Sequence, residues 1–440
     1  MQEKNSVRTL AVFGLGKLGA TLAGVLAGAG HKIRGYDPSP LAVESLNRGV
    51  PLIFEPGLAD LLASTKDRVS AYLRSEDALS GTSGVFVIVP TPSGPDGAFD
   101  NTSVISALRD IGKHLALHPR SFTIVISSTV MPGSCEKVFI GELEAASGIT
   151  LGSTVSLAYS PEFIALGSVI ADMKHPDLVL IGESDPSAGD FVEEVSRTVV
   201  QNKPKYRRMS LASAELAKIA INTFVTTKIS YANMLSEICD QLPGASIDDV
   251  TAAVGSDSRI GQSYLTAGLG YGGPCFPRDN KALAVAALSL GVNAEIAVAT
   301  DLINDRQIER VVKLVLQHSS RGDSVAIVGL AYKGDTPLLE ASQAMEIARR
   351  LIAEGRNVFG LDDLVRQATQ GSSLEGITLV KDTAEIADAR VLVAGSREKL
   401  SRLIPREHLP ETVIDLFGVN QDLEATIVRP GSPGLRREKG

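Results

Sequence analysis

The sequence predicts an α/β protein in which two doubly wound parallel-sheet domains are joined by a central domain built on a long helix. Three observations support this fold class. Short β-rich runs alternate with helical segments in the first half of the chain, as in a parallel sheet covered by helices on both faces. An uninterrupted helical stretch follows from residue 213. The alternation then resumes near residue 324 and continues almost to the C-terminus.

The individual elements are predicted from apolar runs, helical periodicity and the Gly, Pro and Ser residues that bound them. In the first half we expect strands over residues 9–13, 32–37, 84–89 and 122–127, and a helix over 20–29. The middle of the chain should form helices over 213–241, 282–290 and 294–318. The last part should form strands over 324–329, 356–361, 391–394 and 412–415, with a helix over 344–353.

Composition excludes several classes of protein. The chain has 440 residues, of which 44% are hydrophobic and 21% charged, so it can form packed cores. Its formal net charge of −8 argues against nucleic-acid binding. Three cysteines argue against a disulfide scaffold, and no apolar run reaches the roughly 18 residues of a membrane helix. The first apolar stretch leads into a glycine turn, not a signal-peptide cleavage site, so we expect a soluble, cytoplasmic protein.

A glycine-rich turn after the first predicted strand indicates a dinucleotide site. Gly14, Gly16 and Gly19 form a GxGxxG pattern that opens a helix, and Asp37 follows at the end of the second strand. The glycines allow the backbone to approach a pyrophosphate at the helix N-terminus. The carboxylate can accept hydrogen bonds from the adenosine ribose and would repel a 2′-phosphate. The pattern therefore predicts NAD rather than NADP.

Two other groups of residues suggest chemistry. Cys275 lies in a glycine-rich loop with Asp279 four residues later, which suits a nucleophilic thiolate beside a carboxylate. The alternative is a small buried hydrophobe, which is our interpretation of Cys135 and Cys239. Lys218 and Asn222 are one turn apart on the long helix, and together they could stabilise an oxyanion. A solvated polar helix face would show the same spacing.

Polar residues also follow the predicted third and fourth strands, where ligands bind in open parallel sheets. They are Pro90, Thr91 and Pro92 after the third strand and Thr129 after the fourth. Glu162 adds a carboxylate in the sequence Ser-Pro-Glu-Phe. Each of these residues, taken singly, could equally belong to a turn or a helix cap.

In this order the motifs resemble those of the UDP-glucose 6-dehydrogenase/GDP-mannose 6-dehydrogenase family, from Gly14 to about Asn420. The most specific parts are Arg259-Ile-Gly-Gln-Ser-Tyr264 and Gly270-Tyr-Gly-Gly-Pro-Cys275-Phe-Pro-Arg-Asp279. The resemblance implies that both α/β domains are Rossmann-like. It implies an NAD-binding domain over residues 1–208, a central dimerisation domain over 209–318 and a nucleotide-sugar-binding domain over 319–428. We expect residues 429–440 to be a disordered tail.

The family's activity implies an NAD-dependent, two-step, four-electron oxidation of a nucleotide hexose at C6 to the uronic acid, with UDP-glucose favoured. The implied catalytic residues are Cys275, Lys218, Asn222, Asp279, Thr129 and Glu162. The implied cofactor residues are Gly14, Leu15, Gly16, Lys17, Leu18, Gly19, Asp37, Pro90, Thr91, Pro92, Thr129 and Arg278. The implied substrate residues are Glu162, Phe163, Ile164, Ala165, Lys218, Asn222, Arg259, Tyr264, Gly272, Tyr332 and Lys333.

The resemblance also assigns roles. Asp279, with Thr129 and a held water, takes the proton as the first hydride leaves. Cys275 then adds to the aldehyde and carries the thioester, whose hydrolysis Glu162 assists. The two polar residues of the long helix stabilise the oxyanions. The family implies a homodimer, or a higher homo-oligomer, through that helix, with Arg259 reaching the substrate across the interface.

The chain departs from the family's pattern at several positions on the cofactor side. Lys17 stands where a Tyr is usual, Ala42 where a basic residue is usual, and Leu166 where a second Glu is usual. The best register places Glu340 where an Arg is usual, so we expect weakened NAD binding and a coupling between positions 166 and 340. The run from Asp415 is closer to that of the GDP-mannose branch.

Four functions therefore stay open. The first is a UDP-glucose 6-dehydrogenase, and the second acts on GDP-mannose or another nucleotide hexose. The third is a single-step hydroxyacid dehydrogenase, which needs no cysteine. The fourth is a homologue that binds a nucleotide sugar without turnover, which the losses on the cofactor side suggest.

Overall fold

The computed structural model describes residues 7–432, which form two compact units, one ending at Ala220 and one beginning at Ile221. The strands of the first unit are β1 (Thr9–Phe13), β2 (Lys32–Tyr36), β3 (Val69–Tyr72), β4 (Gly84–Val87), β5 (Phe122–Ile126), β6 (Val155–Tyr159), β7 (Leu178–Glu183) and β8 (Lys205–Ser210). Its helices are α1 (Lys17–Gly28), α2 (Pro40–Arg48), α3 (Leu58–Thr65), α4 (Ser75–Leu79), α5 (Thr102–Leu117), α6 (Ile140–Ser147), α7 (Val169–Lys174) and α8 (Pro186–Val199).

These strands form one sheet in the order β3-β2-β1-β4-β5-β6-β7-β8. All neighbours are parallel except β6 and β7. Alternate residues of β1 enter two different cores: Leu10 and Val12 join one, and Ala11 and Phe13 join the other. Both faces of the sheet are therefore covered, as the near-continuous apolar runs of its central strands require.

One long helix, α9 (Leu211–Gln241), runs from the end of the first unit into the second. The other helices of the second unit are α10 (Ile247–Ser256), α11 (Phe276–Ser289), α12 (Glu295–His318), α13 (Gln343–Ala353) and α14 (Asp363–Thr369). Its strands are β9 (Ser324–Val328), β10 (Asn357–Leu361), β11 (Ser373–Leu374), β12 (Ile377–Leu379), β13 (Val391–Ala394), β14 (Thr412–Asp415) and β15 (Thr426–Val428). They pair in the order β11-β12-β10-β9-β13-β14-β15, and only β11 and β12 are antiparallel.

The long helix reverses the usual distribution of side chains. Its buried positions include polar residues such as Thr226 and Asn233, both fully buried. Its exposed positions include Phe224, Tyr231 and Ile238, which recur every seven residues and are 66%, 45% and 53% exposed. Positions seven apart lie on the same side of an α-helix, so these side chains form an apolar stripe on the surface of the chain.

The predicted fold class is confirmed, since one α/β sheet comes before the block of helices in the chain and another comes after it. The three-domain division stays a prediction, although β8 continues to Ser210, past the expected boundary at 208. The tail was expected to begin at Arg429, and this is wrong for residues 429–432. Arg429 is 5% exposed and pairs with Asp248 at 2.8 Å, and the Gly431 N–H donates to Asp240. Residues 433–440 of that tail lie outside the described residues.

Between residues 7 and 432, no helix combines the length and the apolar character needed to cross a membrane.

Candidate active site

The glycine turn between β1 and α1 has the geometry that a dinucleotide site needs. Gly14 has a φ of 91°, and a Cβ there would lie 2.5 Å from the Ile88 carbonyl oxygen. A Cβ on Gly19 would lie 1.8 Å from the Gly14 carbonyl oxygen. Both positions therefore require glycine. At Gly16 a Cβ would meet no atom within 4 Å, so the turn is open where the helix begins.

The N-terminus of α1 suits an anionic ligand. No side chain caps it and its first turn carries no acidic residue. The first helical residue, Lys17, is exposed and adds a positive charge to that of the helix dipole. The side chains of Leu15 and Leu18 pack into or against the first core, so these two residues can offer a ligand only their backbone.

Asp37 is held against this turn. Its Oδ2 accepts a hydrogen bond from the Leu15 N–H at 2.8 Å, and its Oδ1 accepts one from the Ser39 N–H at 2.8 Å. The carboxylate is thus fixed at the end of β2, where a ribose would lie beside the turn. The open turn, the uncapped helix and this carboxylate fit NAD. Ala42, where the resemblance suggested a cation, is only 6% exposed and belongs to the core.

The loops that follow β4, β5 and β6 lie on the same edge of the sheet as the glycine turn, because these strands are adjacent and parallel. The loop after β4 exposes Pro90 and Pro92 and buries Thr91, whose Oγ1 donates to the backbone oxygen of Thr129 at 2.7 Å. The Ser-Pro-Glu-Phe segment with Glu162 follows β6. The polar residues that the sequence placed after separate strands therefore share one edge.

Glu215 also supports this edge, and the sequence analysis did not single it out. Its side chain is fully buried on α9, and it accepts hydrogen bonds from the N–H groups of Gly133 at 2.5 Å and Cys135 at 2.8 Å. These bonds hold the loop that carries Thr129. Burial raises the pKa of Glu215, and burial together with Glu215 raises the pKa of Cys135 well above its usual value. The available signal was an acidic residue one turn before Lys218.

Lys218 is buried and directed at the segment after β6. Its Nζ donates to the Glu162 backbone oxygen at 2.5 Å and lies 4.2 Å from the centre of the Phe163 ring. Of the other predicted substrate residues here, Ile164 packs against the core and Ala165 donates its N–H to a side chain of α7. Lys218 and Asn222 are both on α9, one turn apart, as predicted.

Glu162 has a perturbed ionisation. Burial raises its pKa to about 7, although the positive charge of Lys218 acts in the opposite direction. A carboxyl group with this pKa exists in both protonation states near neutral pH. It can therefore exchange protons with a bound water or substrate, which is what a general acid–base group must do.

Asn222 and Asp279 meet in the second unit. The Asn222 Nδ2 donates to the Asp279 Oδ2 at 2.6 Å, and Asp279 is only 1% exposed. Cys275 immediately precedes α11, and its carbonyl accepts the Asp279 N–H at 2.8 Å, which confirms the single-turn spacing. The Cys275 side chain is exposed, whereas Cys135 and Cys239 are buried as expected. Arg278, predicted to contact the cofactor, has its Nε 3.8 Å from Asp279.

The glycine-rich loop before Cys275 is fixed by residues that the sequence analysis missed. The Gln343 Oε1 accepts the Gly270 N–H at 2.6 Å, and Asn304 Oδ1 accepts the Tyr271 N–H at 2.7 Å. The Asn304 Nδ2 also donates to the Tyr271 carbonyl at 3.1 Å. Both amide side chains are almost fully buried. The backbone of this loop is therefore held by α12 and α13. The signal in the sequence was an Asn within the pattern of an amphipathic helix.

The remaining predicted substrate residues fall into two groups. A Cβ on Gly272 would lie 2.2 Å from the Ala341 oxygen, so this loop approaches the C-terminal α/β part closely. Lys333 is exposed after β9. Arg259, in contrast, is exposed and paired with Asp257 at 2.6 Å, and Tyr264 is 53% exposed. Tyr332 belongs with the first group, because its ring lies 2.5 Å from where a Cβ on the neighbouring Gly273 would be.

Three family models match successive parts of the chain. The NAD-binding domain of the UDP-glucose/GDP-mannose dehydrogenase family matches residues 8–200, its central domain matches 212–306, and its UDP-binding domain matches 326–419.

This chain belongs to the UDP-glucose/GDP-mannose dehydrogenase family. The family named from the motifs is thereby confirmed, and so is NAD as the cofactor. Members are oxidoreductases that act on nucleotide sugars, and the matched third domain indicates a nucleotide-sugar substrate for this dehydrogenase.

Individual relatives of this dehydrogenase differ in substrate. It is 34% identical to a UDP-glucose 6-dehydrogenase of Haloferax volcanii over 81% of this chain and 84% of that protein. It is 30% identical to a GDP-mannose 6-dehydrogenase of Pseudomonas putida over 96% of this chain and 98% of that protein. A solved UDP-glucose dehydrogenase from Pyrobaculum islandicum superposes with a TM-score of 0.89, at 32% identity, over 98% and 99% of the two chains.

The structure shows the environment of two residues that depart from the family pattern. Leu166 packs partly buried against the first core, and Glu340 is exposed beside Ala341, which has a φ of 50°. The apolar side chain of Leu166 therefore fits its position against the core, whereas Glu340 faces water. The coupling of these positions through NAD stays a prediction.

Proposed function

We propose that this dehydrogenase oxidises the C6 alcohol of UDP-glucose twice and releases the uronic acid. The observation that carries the proposal is the buried Asp279 carboxylate, bonded to Asn222 and one helical turn after an exposed Cys275. A single-step alcohol oxidation needs no cysteine, whereas a four-electron oxidation needs a group that retains the aldehyde between the two steps.

The first oxidation needs a base. In the proposed sequence Asp279 receives, through a water that Thr129 helps to hold, the proton of the C6 hydroxyl. Asn222 donates to one oxygen of this carboxylate and keeps it oriented as an acceptor. NAD, when bound, accepts one hydride in each of the two oxidations.

The second oxidation uses the thiol. The Cys275 thiolate adds to the aldehyde carbon and forms a thiohemiacetal, whose oxygen receives a proton. Lys218 supplies positive charge to the developing oxyanion, and its ammonium group is already fixed by the Glu162 carbonyl oxygen. Loss of the second hydride and of that proton leaves a thioester. Water activated by Glu162 then attacks the thioester, and the products are the carboxylate and the free thiol.

The binding of NAD is assigned to the first sheet edge. The α1 N-terminus with Lys17 would hold the pyrophosphate, and Asp37 would accept hydrogen bonds from the adenosine ribose. The loop with Pro90–Pro92 would border the nicotinamide half. The open position at Gly16 supports this assignment, because a phosphate can approach the backbone there.

GDP-mannose is the second candidate substrate. Two observations favour it: a GDP-mannose 6-dehydrogenase is 30% identical over 96% of this chain, and the run from Asp415 lacks the Asp-Gly-Arg pattern of many UDP-glucose enzymes. The test is to incubate purified protein with NAD and either sugar nucleotide and to count NADH per sugar. Two NADH from UDP-glucose support the proposal, and two NADH only from GDP-mannose support the second candidate. One NADH would indicate a single-step dehydrogenase, and none would indicate binding without turnover.

We also propose that the protein forms an isologous homodimer through α9. The exposed stripe of Phe224, Tyr231 and Ile238 is apolar and lies along one side of a helix whose opposite side is already packed. A stripe of this kind on a long helix is typical of helix–helix association between subunits. The dimer would leave Arg259, exposed in the single chain, available to reach the substrate of the other subunit.

A further inference from the structure

The second sheet repeats the ligand-binding edge of the first. Gly14 follows β1 with a φ of 91°, and Gly329 follows β9 with a φ of 84°. The Gly14 N–H donates to the Tyr36 carbonyl at the end of β2, at 2.9 Å. The Gly329 N–H donates in the same way to the Leu361 carbonyl at the end of β10, at 3.0 Å.

The acidic residue after the second strand is repeated as well. Asp37 accepts the Leu15 N–H at 2.8 Å, and Asp362 accepts the Leu330 N–H at 2.9 Å. In both units the carboxylate therefore bonds the residue that follows the left-handed glycine. The two turns are equivalent in backbone conformation and in side-chain support.

This equivalence extends to the neighbouring strand, across the point where the strand order reverses. The Ile88 N–H donates to the Phe13 carbonyl at 2.9 Å, and the Gly395 N–H donates to the Val328 carbonyl at 2.8 Å. Phe13 and Val328 are the last residues of β1 and β9. Gly395 thus corresponds to Ile88.

Two residues further along each loop, Arg397 corresponds to Pro90. In an open α/β sheet the crevice beside this loop is where ligands bind. The second sheet therefore places an exposed arginine at its own ligand-binding crevice. The chain as a whole is acidic, with a formal net charge of −8, so an anion must be attracted by local positive charge such as that of this arginine.

The guanidinium of Arg397 is held but not neutralised. It lies 5.2 Å from the centre of the Phe417 ring, which follows β14. Desolvation lowers the pKa of Arg397, the nearby Arg429 lowers it further, and within residues 7–432 no carboxylate offsets these two effects. Arg429 itself is paired with Asp248. A stacked arginine without an acidic partner keeps its N–H donors for a ligand.

We propose that Arg397 binds the diphosphate of the nucleotide sugar, with Phe417 supporting the guanidinium from one face. This inference rests on the proposed function, which requires a nucleotide-sugar substrate. Diphosphate oxygens suit the planar fork of arginine, and they would bring the negative charge that pairs with the guanidinium.

The test is calorimetric titration of the full chain with UDP, GDP and uridine. Arg397→Ala should weaken UDP and GDP binding by the same factor, roughly ten- to a hundredfold, as expected for one lost charge-assisted hydrogen bond. Uridine affinity and NAD affinity should not change. Arg397→Gln, which keeps a long polar side chain without the charge, should show the same pattern and covers the case in which the alanine variant does not fold.

The matched control is Arg390→Ala. Arg390 directly precedes β13, whereas Arg397 follows it, so the two arginines lie at opposite ends of the same strand. Arg390 pairs with Glu411 at 3.4 Å on the surface. This variant removes the same charge and should bind UDP like the wild type. Wild-type UDP affinity in both Arg397 variants would overturn the inference, as would an equal loss for uridine. A wild-type protein that binds neither UDP nor GDP would contradict the proposed substrate class itself.

Discussion

The carboxyl groups of Asp279 and Glu162 lie in different environments. Asp279 is buried, and its Oδ2 accepts a hydrogen bond from Asn222. Burial raises the pKa of Glu162 to about 7 in spite of the nearby Lys218. Two carboxyl groups with different surroundings can serve as separate acids and bases in one reaction. The difference supports distinct roles in deprotonation and in thioester hydrolysis.

Glu162→Gln should change stability in a pH-dependent way. The raised pKa means that the folded state favours the protonated carboxyl, so the wild type loses stability as the pH rises from about 4.5 to about 7. Gln has no charge to desolvate, so the variant should be more stable than the wild type at pH 8, by about 1–3 kcal/mol, and similar at pH 4. Thermal or urea unfolding at both pH values measures this.

The exposed Glu407→Gln serves as the control and should leave the difference between the two pH values unchanged. Activity provides a second measurement, because a base with this pKa makes thioester hydrolysis rise with pH through about 7. If Glu162→Gln is destabilised equally at both pH values, the carboxyl group is not desolvated in the folded protein.

Cys275→Ser should abolish net formation of the uronic acid. A serine hydroxyl is far less nucleophilic than a thiolate, so the second oxidation should fail or stop at a trapped intermediate, with kcat reduced by at least about a thousandfold. Cys239→Ala removes a buried thiol instead and should keep two NADH per sugar at some cost in stability. Unchanged NADH stoichiometry in Cys275→Ser would falsify the covalent mechanism.

At the scale of elements, the glycines of the turn before α1 serve two different purposes, folding and cofactor binding. Gly14 and Gly19 are required by the backbone, because a Cβ at either would collide with a carbonyl oxygen. Gly16 has a φ of −70° and free space around it, so the fold does not need a glycine there. Its glycine is explained by a ligand that must approach the backbone.

Gly16→Ala should therefore leave thermal stability unchanged and weaken NAD binding by at least about tenfold, since a methyl group would keep the pyrophosphate from the helix N-terminus. Calorimetry with NAD measures the loss. Gly141→Ala is the matched control, because Gly141 is helical in α6 and a Cβ there also meets nothing within 4 Å. It should stabilise the protein by about 0.5–1 kcal/mol and leave NAD affinity alone. Equal NAD affinity in both variants would show that the turn does not contact the cofactor.

At the scale of the whole molecule, the apolar stripe of α9 predicts association. Tyr231→Glu combined with Ile238→Glu should shift the protein from dimer to monomer at micromolar concentration. Two large apolar side chains contribute about 1.5–3 kcal/mol each when buried, so their loss should raise the dissociation constant by a hundredfold or more. Light scattering after gel filtration measures the mass.

Leu117→Glu is the control for that experiment. Leu117 is 76% exposed on α5, away from the α9 stripe in sequence, so the variant should remain a dimer. A wild-type protein that is monomeric under the same conditions would contradict both the dimer and the delivery of Arg259 to a second subunit.

Much of this architecture was predictable from local sequence. Alternating strand and helix patterns identified β1, β13 and β14 with the bounds that the structure has, and the α9 and α12 helices to within a few residues. The glycine turn with Asp37 and the four-residue spacing of Cys275 and Asp279 were also visible. These features depend on residues close together in the chain, whose periodicity and turn chemistry act before any tertiary contact forms.

Other features were decided only by tertiary structure. The pKa of Glu162 depends on how deeply the segment after β6 is buried, and the support of Tyr271 depends on Asn304 from another helix. The fully buried strand β6 was missed because an apolar run of five residues does not by itself distinguish a strand from a loop or a helix. Arg397 could be considered as a ligand-binding residue only once the second sheet was seen to place it beside the Phe417 ring. Burial, charge pairing and stacking join residues far apart in the chain, and only the packed fold determines which of them meet.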